Sequence, residues 1–252
     1  MRAMRLRISV VVPGLAAAML LLGGGAARAG IIYQTGFEAP TYTTGELNGQ
    51  DGWSNGVPGM GQVQTTTVLS GSQALEVNLN STTFPAHALS YDSSTDPGAE
   101  VRLQVSMLVQ GTLAYQVEGL SVFGNGGFIA QLYLAGSSFR LGGASSSSGN
   151  LAAQVGQWYS LEMDLDFQNQ TATAYVDGQF LATVAMATPT TSLTELQFGG
   201  YGDTTDSETA FYDDFSATAV TAAPEPSSLA LIAMGGVSLT GWRRWKTLRA
   251  AR

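Results

Sequence analysis

The sequence has no cysteine and a single histidine among its 252 residues. The first absence excludes a disulfide framework, thiolate catalysis and any zinc site that needs sulfur, and the second excludes a His-rich metal centre. Charge is sparse as well: 11 Lys plus Arg stand against 19 Asp plus Glu, a formal charge of -8. An acidic chain repels phosphate backbones, so nucleic acid is not an expected partner. The length suits one large β-domain or two small ones, and a single core is feasible.

The charge is unevenly spread. Four bases and no acid precede residue 30, and five bases follow residue 224 beside Glu225. Setting these aside leaves 18 acids and only Arg102 and Arg140 between residues 30 and 223, a lysine-free segment at -16.

The basic N-terminal start, the apolar run from Ile8 to Leu22 and Ala27-Arg28-Ala29 before Gly30 have the build of a secretory signal peptide. Residues 1–29 are expected to be removed by signal peptidase between Ala29 and Gly30. The alternative is an N-terminal membrane anchor, for which the apolar run is short.

At the other end, Thr221-Ala222-Ala223-Pro224-Glu225-Pro226 reads as a stiff linker over residues 221–228, because proline fixes φ and removes a donor. An apolar stretch from Leu229 to Trp242 and a basic cluster with Arg243 and Arg244 complete residues 229–252. Pro224-Glu225-Pro226, a short hydrophobic helix and a basic cluster in this order resemble the PEP-CTERM sorting signal of Gram-negative bacteria. The resemblance implies transient anchoring in the inner membrane, an exosortase-type processing enzyme cutting near Pro224 to Pro226, and release to the outer surface or extracellular matrix. A retained single-span anchor is the alternative, although about 14 apolar residues fall short of the ~20 that a span needs.

Between these ends, short alternating runs separated by Gly, Ser, Asn and Asp predict a dozen antiparallel strands and no crossover helix. The fold expected for residues 30–220 is an all-β antiparallel sandwich, with a signal helix before it and a sorting helix after it. Asp177-Gly178 predicts a type I′ hairpin, and the Gly/Ser tract from Gly142 to Asn150 predicts a mobile surface loop. Trp158 is expected to pack in the core, and His87 at the surface or as a cap.

Gln157-Trp158-Tyr159 opening a strand, the hairpin Tyr175-Val176-Asp177-Gly178, and the closing runs Leu196-Gln197-Phe198 and Phe211-Tyr212-Asp213-Asp214-Phe215 resemble laminin-G-like members of the concanavalin A-like lectin and glucanase superfamily. The resemblance implies a jelly-roll sandwich and carbohydrate chemistry.

Four sets of residues are candidates for that chemistry. Glu162, Asp164 and Asp166 fall on one face of a strand, with Leu161, Met163 and Leu165 on the other. The laminarinase-type branch carries its nucleophile and acid/base on a similar Glu-x-Asp-x-Glu strand, so Glu162 and Asp166 are the candidate catalytic pair. Retaining glycosidases need carboxyls about 5 to 5.5 Å apart, whereas positions i and i+4 of a regular strand lie ~13 Å apart. A bulge would be required, and the alternative is a solvated face on a non-catalytic protein.

Glu38 in Thr35-Gly36-Phe37-Glu38 and the Asp213-Asp214 pair would meet if the first and last strands pair. A similar combination in carbohydrate-binding jelly rolls holds a structural calcium, so these three are the candidate Ca²⁺ ligands. The alternative is solvated acids at strand ends. Trp53 and Tyr201, each in a Gly-rich run, are candidates for stacking on a sugar, with Trp53 alternatively plugging one end of the sandwich. The function expected is an exported, non-catalytic surface or matrix protein that binds extracellular polysaccharide, with a glycan-specific lectin or a glycoside hydrolase as the alternatives.

Overall fold

The computed structural model describes residues 29–221, except residues 56, 80–83, 96–98, 112–115, 145–146 and 202–208, and describes only the backbone of Ala29, Ala99, Gln116, Glu118, Tyr201 and Thr221. Residues 1–28 and 222–252, with the expected leader, Pro224, Glu225, Pro226, Arg243 and Arg244, lie outside the described residues. Among the described residues no helix is long and apolar enough to cross a membrane.

The strands, in chain order, are β1 (Ala29–Thr35), β2 (Gly45–Glu46), β3 (Trp53–Ser54), β4 (Gly61–Gln64), β5 (Ala74–Asn78), β6 (Ala86–Asp92), β7 (Ala99–Gln110) and β8 (Gln116–Gly124). They continue as β9 (Gly127–Ala135), β10 (Ser138–Gly142), β11 (Ser147–Ala152), β12 (Trp158–Asp166), β13 (Thr171–Val176), β14 (Gln179–Ala185), β15 (Ser192–Tyr201) and β16 (Thr209–Thr221). One sheet runs β14-β13-β12-β7-β16-β5-β4-β2 with β1 added beside β16, and the other runs β11-β10-β9-β8-β15-β6-β3. All pairings are antiparallel, which short polar turns allow and parallel crossovers would not.

Alternation places the core. On β12, Tyr159, Leu161, Met163 and Leu165 are buried while the residues between them are exposed or half-buried. Leu103, Val105 and Met107 of β7 join them, facing Leu120, Leu132 and Leu134 of the second sheet across a continuous apolar layer. Trp158 is half-buried on the outer side, and its neighbour Tyr159 takes the core position that the sequence suggested for the tryptophan.

The hairpin at Asp177-Gly178 has φ of 51° and 73°, as a type I′ turn requires, and Asp177 accepts the Ser160 N–H through Oδ1 at 2.8 Å. The Gly/Ser tract departs from expectation: Ser147–Ala152 forms an edge strand on β10 instead of a loop. Thr221, the first residue of the expected linker, is still part of β16, where it pairs with Ala99.

The strand that organises the molecule is β16. Residues 209–212 pair with β5, residues 215–220 pair with β1, and β7 lies along the other side. The change of partner falls on a bulge between Asp213 and Ser216, where Asp214 has φ of 51°. Aspartate tolerates that left-handed backbone better than most side chains, which makes the Asp213-Asp214 pair suited to this corner.

Candidate functional site

Pairing of the first and last strands does bring Glu38 and the Asp213-Asp214 pair to one place. The loop of residues 69–73, between β4 and β5, is what they share. Asp213 is fully buried, and its Oδ2 accepts the Leu69 and Ser70 N–H groups at 3.1 and 3.0 Å, while Oδ1 accepts the Asp214 N–H at 2.8 Å. Asp214 accepts the Ser70 hydroxyl at 2.8 Å. Glu38 accepts the Ser72 and Gln73 N–H groups through Oε1 at 2.8 and 2.9 Å and the Ser72 hydroxyl through Oε2 at 2.7 Å.

These surroundings pull Glu38 and Asp213 in opposite directions. The Ser72 hydroxyl and the Ser72 and Gln73 N–H groups hold the Glu38 carboxyl below the usual glutamate range. Burial raises Asp213 above the usual aspartate range, with the neighbouring Asp214 charge adding to it and the N–H donors opposing it. Gly71, at φ of 65°, suits this turn, and a Cβ there would push the Glu38 carboxylate out of place. Among the described residues no group of three acid or imidazole side chains is spaced to hold a metal by itself. The donors present are all oxygens, the ligand type that calcium takes, and would need backbone carbonyls or water to complete a shell.

Beside this node lies a pocket of about 710 Å³, lined by residues of β1, the loop that follows it, Asp51 and the bulge of β16. The pocket is floored by an aromatic cluster that sequence reasoning did not identify. The Tyr33 and Tyr42 hydroxyls lie 2.7 Å apart, and each is 2.9 Å from Asp51 Oδ2. Two phenolic protons thus serve three contacts, and the Trp53 indole N–H adds a donor 3.1 Å from both hydroxyl oxygens. Burial, reinforced by the bond to Tyr42, pushes the Tyr33 phenol up, and burial does the same to Tyr42. Both phenols therefore remain neutral hydrogen-bonding groups across the physiological range.

Trp53 is not a sugar platform. It is 2% exposed, stacked on Phe198 with ring centroids 5.5 Å apart, because pairing of β3 with β6 turns the indole inward as the plug of one end of the core. His87 is likewise buried, stacked 3.9 Å from the Tyr33 ring with Nε2 2.9 Å from the Asp51 carbonyl oxygen, so it supports the site from beneath instead of lying at the surface. Tyr33, half-buried and lining the pocket, is the aromatic that a ligand could reach. Tyr201 ends β15 opposite Gln116, and its side chain lies outside the described residues.

Glu162, Asp164 and Asp166 share the outer face of β12, as expected. The register of β12 against both β7 and β13 is continuous, so the bulge that would draw Glu162 and Asp166 together is absent from it. Arg102 on β7 donates Nε and Nη2 to the two Asp164 oxygens at 2.8 and 3.0 Å, with Glu162 3.3 Å from the same Nε. Asp166 accepts the Gln168 and Asn169 N–H groups and so caps the β12–β13 turn. All three carboxylates thus have structural duties on a regular strand.

No family model matches the chain, and no curated protein matches its sequence. Among solved structures it is similar to a cellulose induced protein, Cip1, with a TM-score of 0.55 and 16% identity over 73% of this chain and 96% of that one. It is also similar to a sialidase, with a TM-score of 0.54 and 14% identity over 75% of this chain. The chain spans only 18% of that sialidase. At such identities the likeness is one of fold, and it places the described domain among two-sheet antiparallel β-sandwiches.

Proposed function

We propose that the protein is an exported, non-catalytic surface or matrix protein that binds extracellular polysaccharide in the pocket beside Tyr33. The observation that carries the reading is the pocket itself: a concavity of about 710 Å³ with a reachable tyrosine ring, exposed Thr41 and carboxylate acceptors at its rim. Hydroxyl-rich sugars need this combination of a flat apolar face and fixed acceptors. Similarity of fold to a sialidase and to a cellulose induced protein supports a setting in carbohydrate chemistry. The regular register of β12, with Glu162 and Asp164 beside Arg102 and Asp166 capping the following turn, favours binding over hydrolysis.

The jelly-roll, laminin-G-like assignment and the sorting signal belong to the same proposal. Cleavage before Gly30 and at Pro224 to Pro226 would leave the paired strands β1 and β16 whole, apart from Ala29, so processing and folding are compatible. Calcium enters at Glu38, Asp213 and Asp214, whose carboxylates would supply part of an all-oxygen shell that backbone carbonyls or water complete.

A glycan array probed with the purified full chain, with and without calcium, tests the binding. Binding lost in Tyr33→Ala, whose melting temperature is checked in parallel, is the expected result, and failure to bind any glycan in either condition overturns it. A melting temperature unmoved by chelator removes calcium from the account, and mass spectrometry finding an intact C-terminal tail on the secreted protein removes the processing. Release of reducing ends from β-glucan, abolished by Glu162→Gln, would replace binding by hydrolysis.

A further inference from the structure

The pocket beside Tyr33 is lopsided in charge. Glu38, Asp51 and Asp214 line it, and neither lysine nor arginine does. The described residues contain two such cations, and both lie elsewhere: Arg102 pairs with Glu162 and Asp164 on the outer face of β12, and Arg140 is on β10 in the opposite sheet. Its other lining residues are uncharged: Gln34, Thr35, Thr41, Tyr42 and Ser216 are neutral hydrogen-bonding groups, and Ala39 and Phe215 are apolar.

The Tyr33 ring fixes where a ligand would sit. One face is covered by His87 at 3.9 Å, and its hydroxyl is tied to Tyr42 and Asp51, so the ring is held in place from two sides. A pyranose packed against this ring would carry its substituents toward carboxylates on several sides. An ammonium substituent there forms charge-assisted hydrogen bonds, a hydroxyl donates a weaker one, and a carboxylate meets like charge with no compensating cation.

Resting on the glycan-binding reading above, we propose that this pocket takes an amino-sugar glycan bearing free amines, ranks neutral glycans second and rejects uronic and sialic acids. A calcium ion at Glu38 and Asp214 would offset two of the three lining charges and leave the pocket negative, so the order of preference survives the ion.

The test is calorimetric titration of the purified full chain, in non-ionic detergent, with matched hexamers of glucosamine, glucose and galacturonic acid at low and high salt. Glucosamine hexamer should bind about tenfold or more tightly than the galacturonate, with the glucose hexamer between them, and added salt should narrow the gap. Asp51→Asn should narrow it too, since asparagine still accepts from the tyrosines and tolerates the backbone φ of 44°. Asp214→Asn is the second variant, at φ of 51°, should the first fold poorly. Galacturonate binding equal to or tighter than glucosamine overturns the charge selection and leaves glycan binding standing. A preference for glucosamine that both variants leave unchanged overturns the assignment to this pocket. Failure of all three hexamers to bind overturns the glycan reading and this inference with it.

Discussion

Replacing Asp213 by alanine should release the loop that frames the pocket. The carboxylate is fully buried and holds the Leu69 and Ser70 N–H groups, with the Asp214 N–H on its other oxygen. Hydrogen bonds to a charged group contribute about 1.5–3 kcal/mol each, so the two loop bonds set a gross loss of about 3–6 kcal/mol. Part is offset because alanine has no buried charge to keep desolvated. The net expectation is about 2–4 kcal/mol of destabilisation, which in a domain of this size lowers the melting temperature by about 5–15 °C. Asparagine supplies one acceptor oxygen where three N–H groups converge from two directions, so Asp213→Asn should fall between alanine and the wild type. Thermal and urea unfolding measure both, and hydrogen exchange at Leu69 and Ser70 localises the effect. A loss below about 1 kcal/mol in Asp213→Ala, with exchange at those two amides unchanged, would refute the anchoring role.

Two of the three acids of this node, Glu38 and Asp213, should give opposite pH dependences. The depressed Glu38 contributes stability above its ordinary unfolded range that is lost as pH falls through its folded value, so Glu38→Gln should reduce acid sensitivity of unfolding. The raised Asp213 works the other way: its contribution is fully present below the ordinary aspartate range and lost as pH rises through its folded value, so wild type should gain on Asp213→Asn as pH is lowered toward 4. Gly124→Ala should cost roughly 1–3 kcal/mol in urea unfolding, because a Cβ there would overlap the Ser192 carbonyl and come within 2.7 Å of Thr190 Oγ1 between β8 and β15. Arg102→Ala should cost only about 0.5–1 kcal/mol by the same measurement, since the arginine side chain is 41% exposed and its ion pairs are screened.

The strands most legible in the sequence were those whose alternation is carried by large residues. From Val101 on in β7, and throughout β12, every second position is Val, Leu, Met or Tyr, and period two is then unmistakable. Four strands left no such trace. Ala86–Asp92 is Ala-His-Ala-Leu-Ser-Tyr-Asp, mostly small and polar, and becomes β6 because it pairs between β15 and β3. Ser147–Ala152 resembles a linker in composition and becomes β11 because β10 offers it an edge, while β2 and β3 are two residues each. The acid node was legible because it needs only the meeting of the first and last strands. The Tyr33, Tyr42 and Asp51 cluster was not, since three side chains up to 18 residues apart converge through an aperiodic loop. Trp53 had two readings in the sequence: its glycine-rich neighbours suggest exposure, but its size favours burial, and the indole fills the end of the core.

The pairing of Ala29 with Val220 has a mechanical consequence. Because β1 and β16 run antiparallel, the points where the described chain begins and ends stand side by side at one end of the same pair. Tension applied between them acts across the ladder and not along it, so its bonds carry the load one after another from Ala29 toward Thr35. Such a zipper yields at low force, and β1 would peel away as far as the Asp213-Asp214 corner while the layers beneath stay closed.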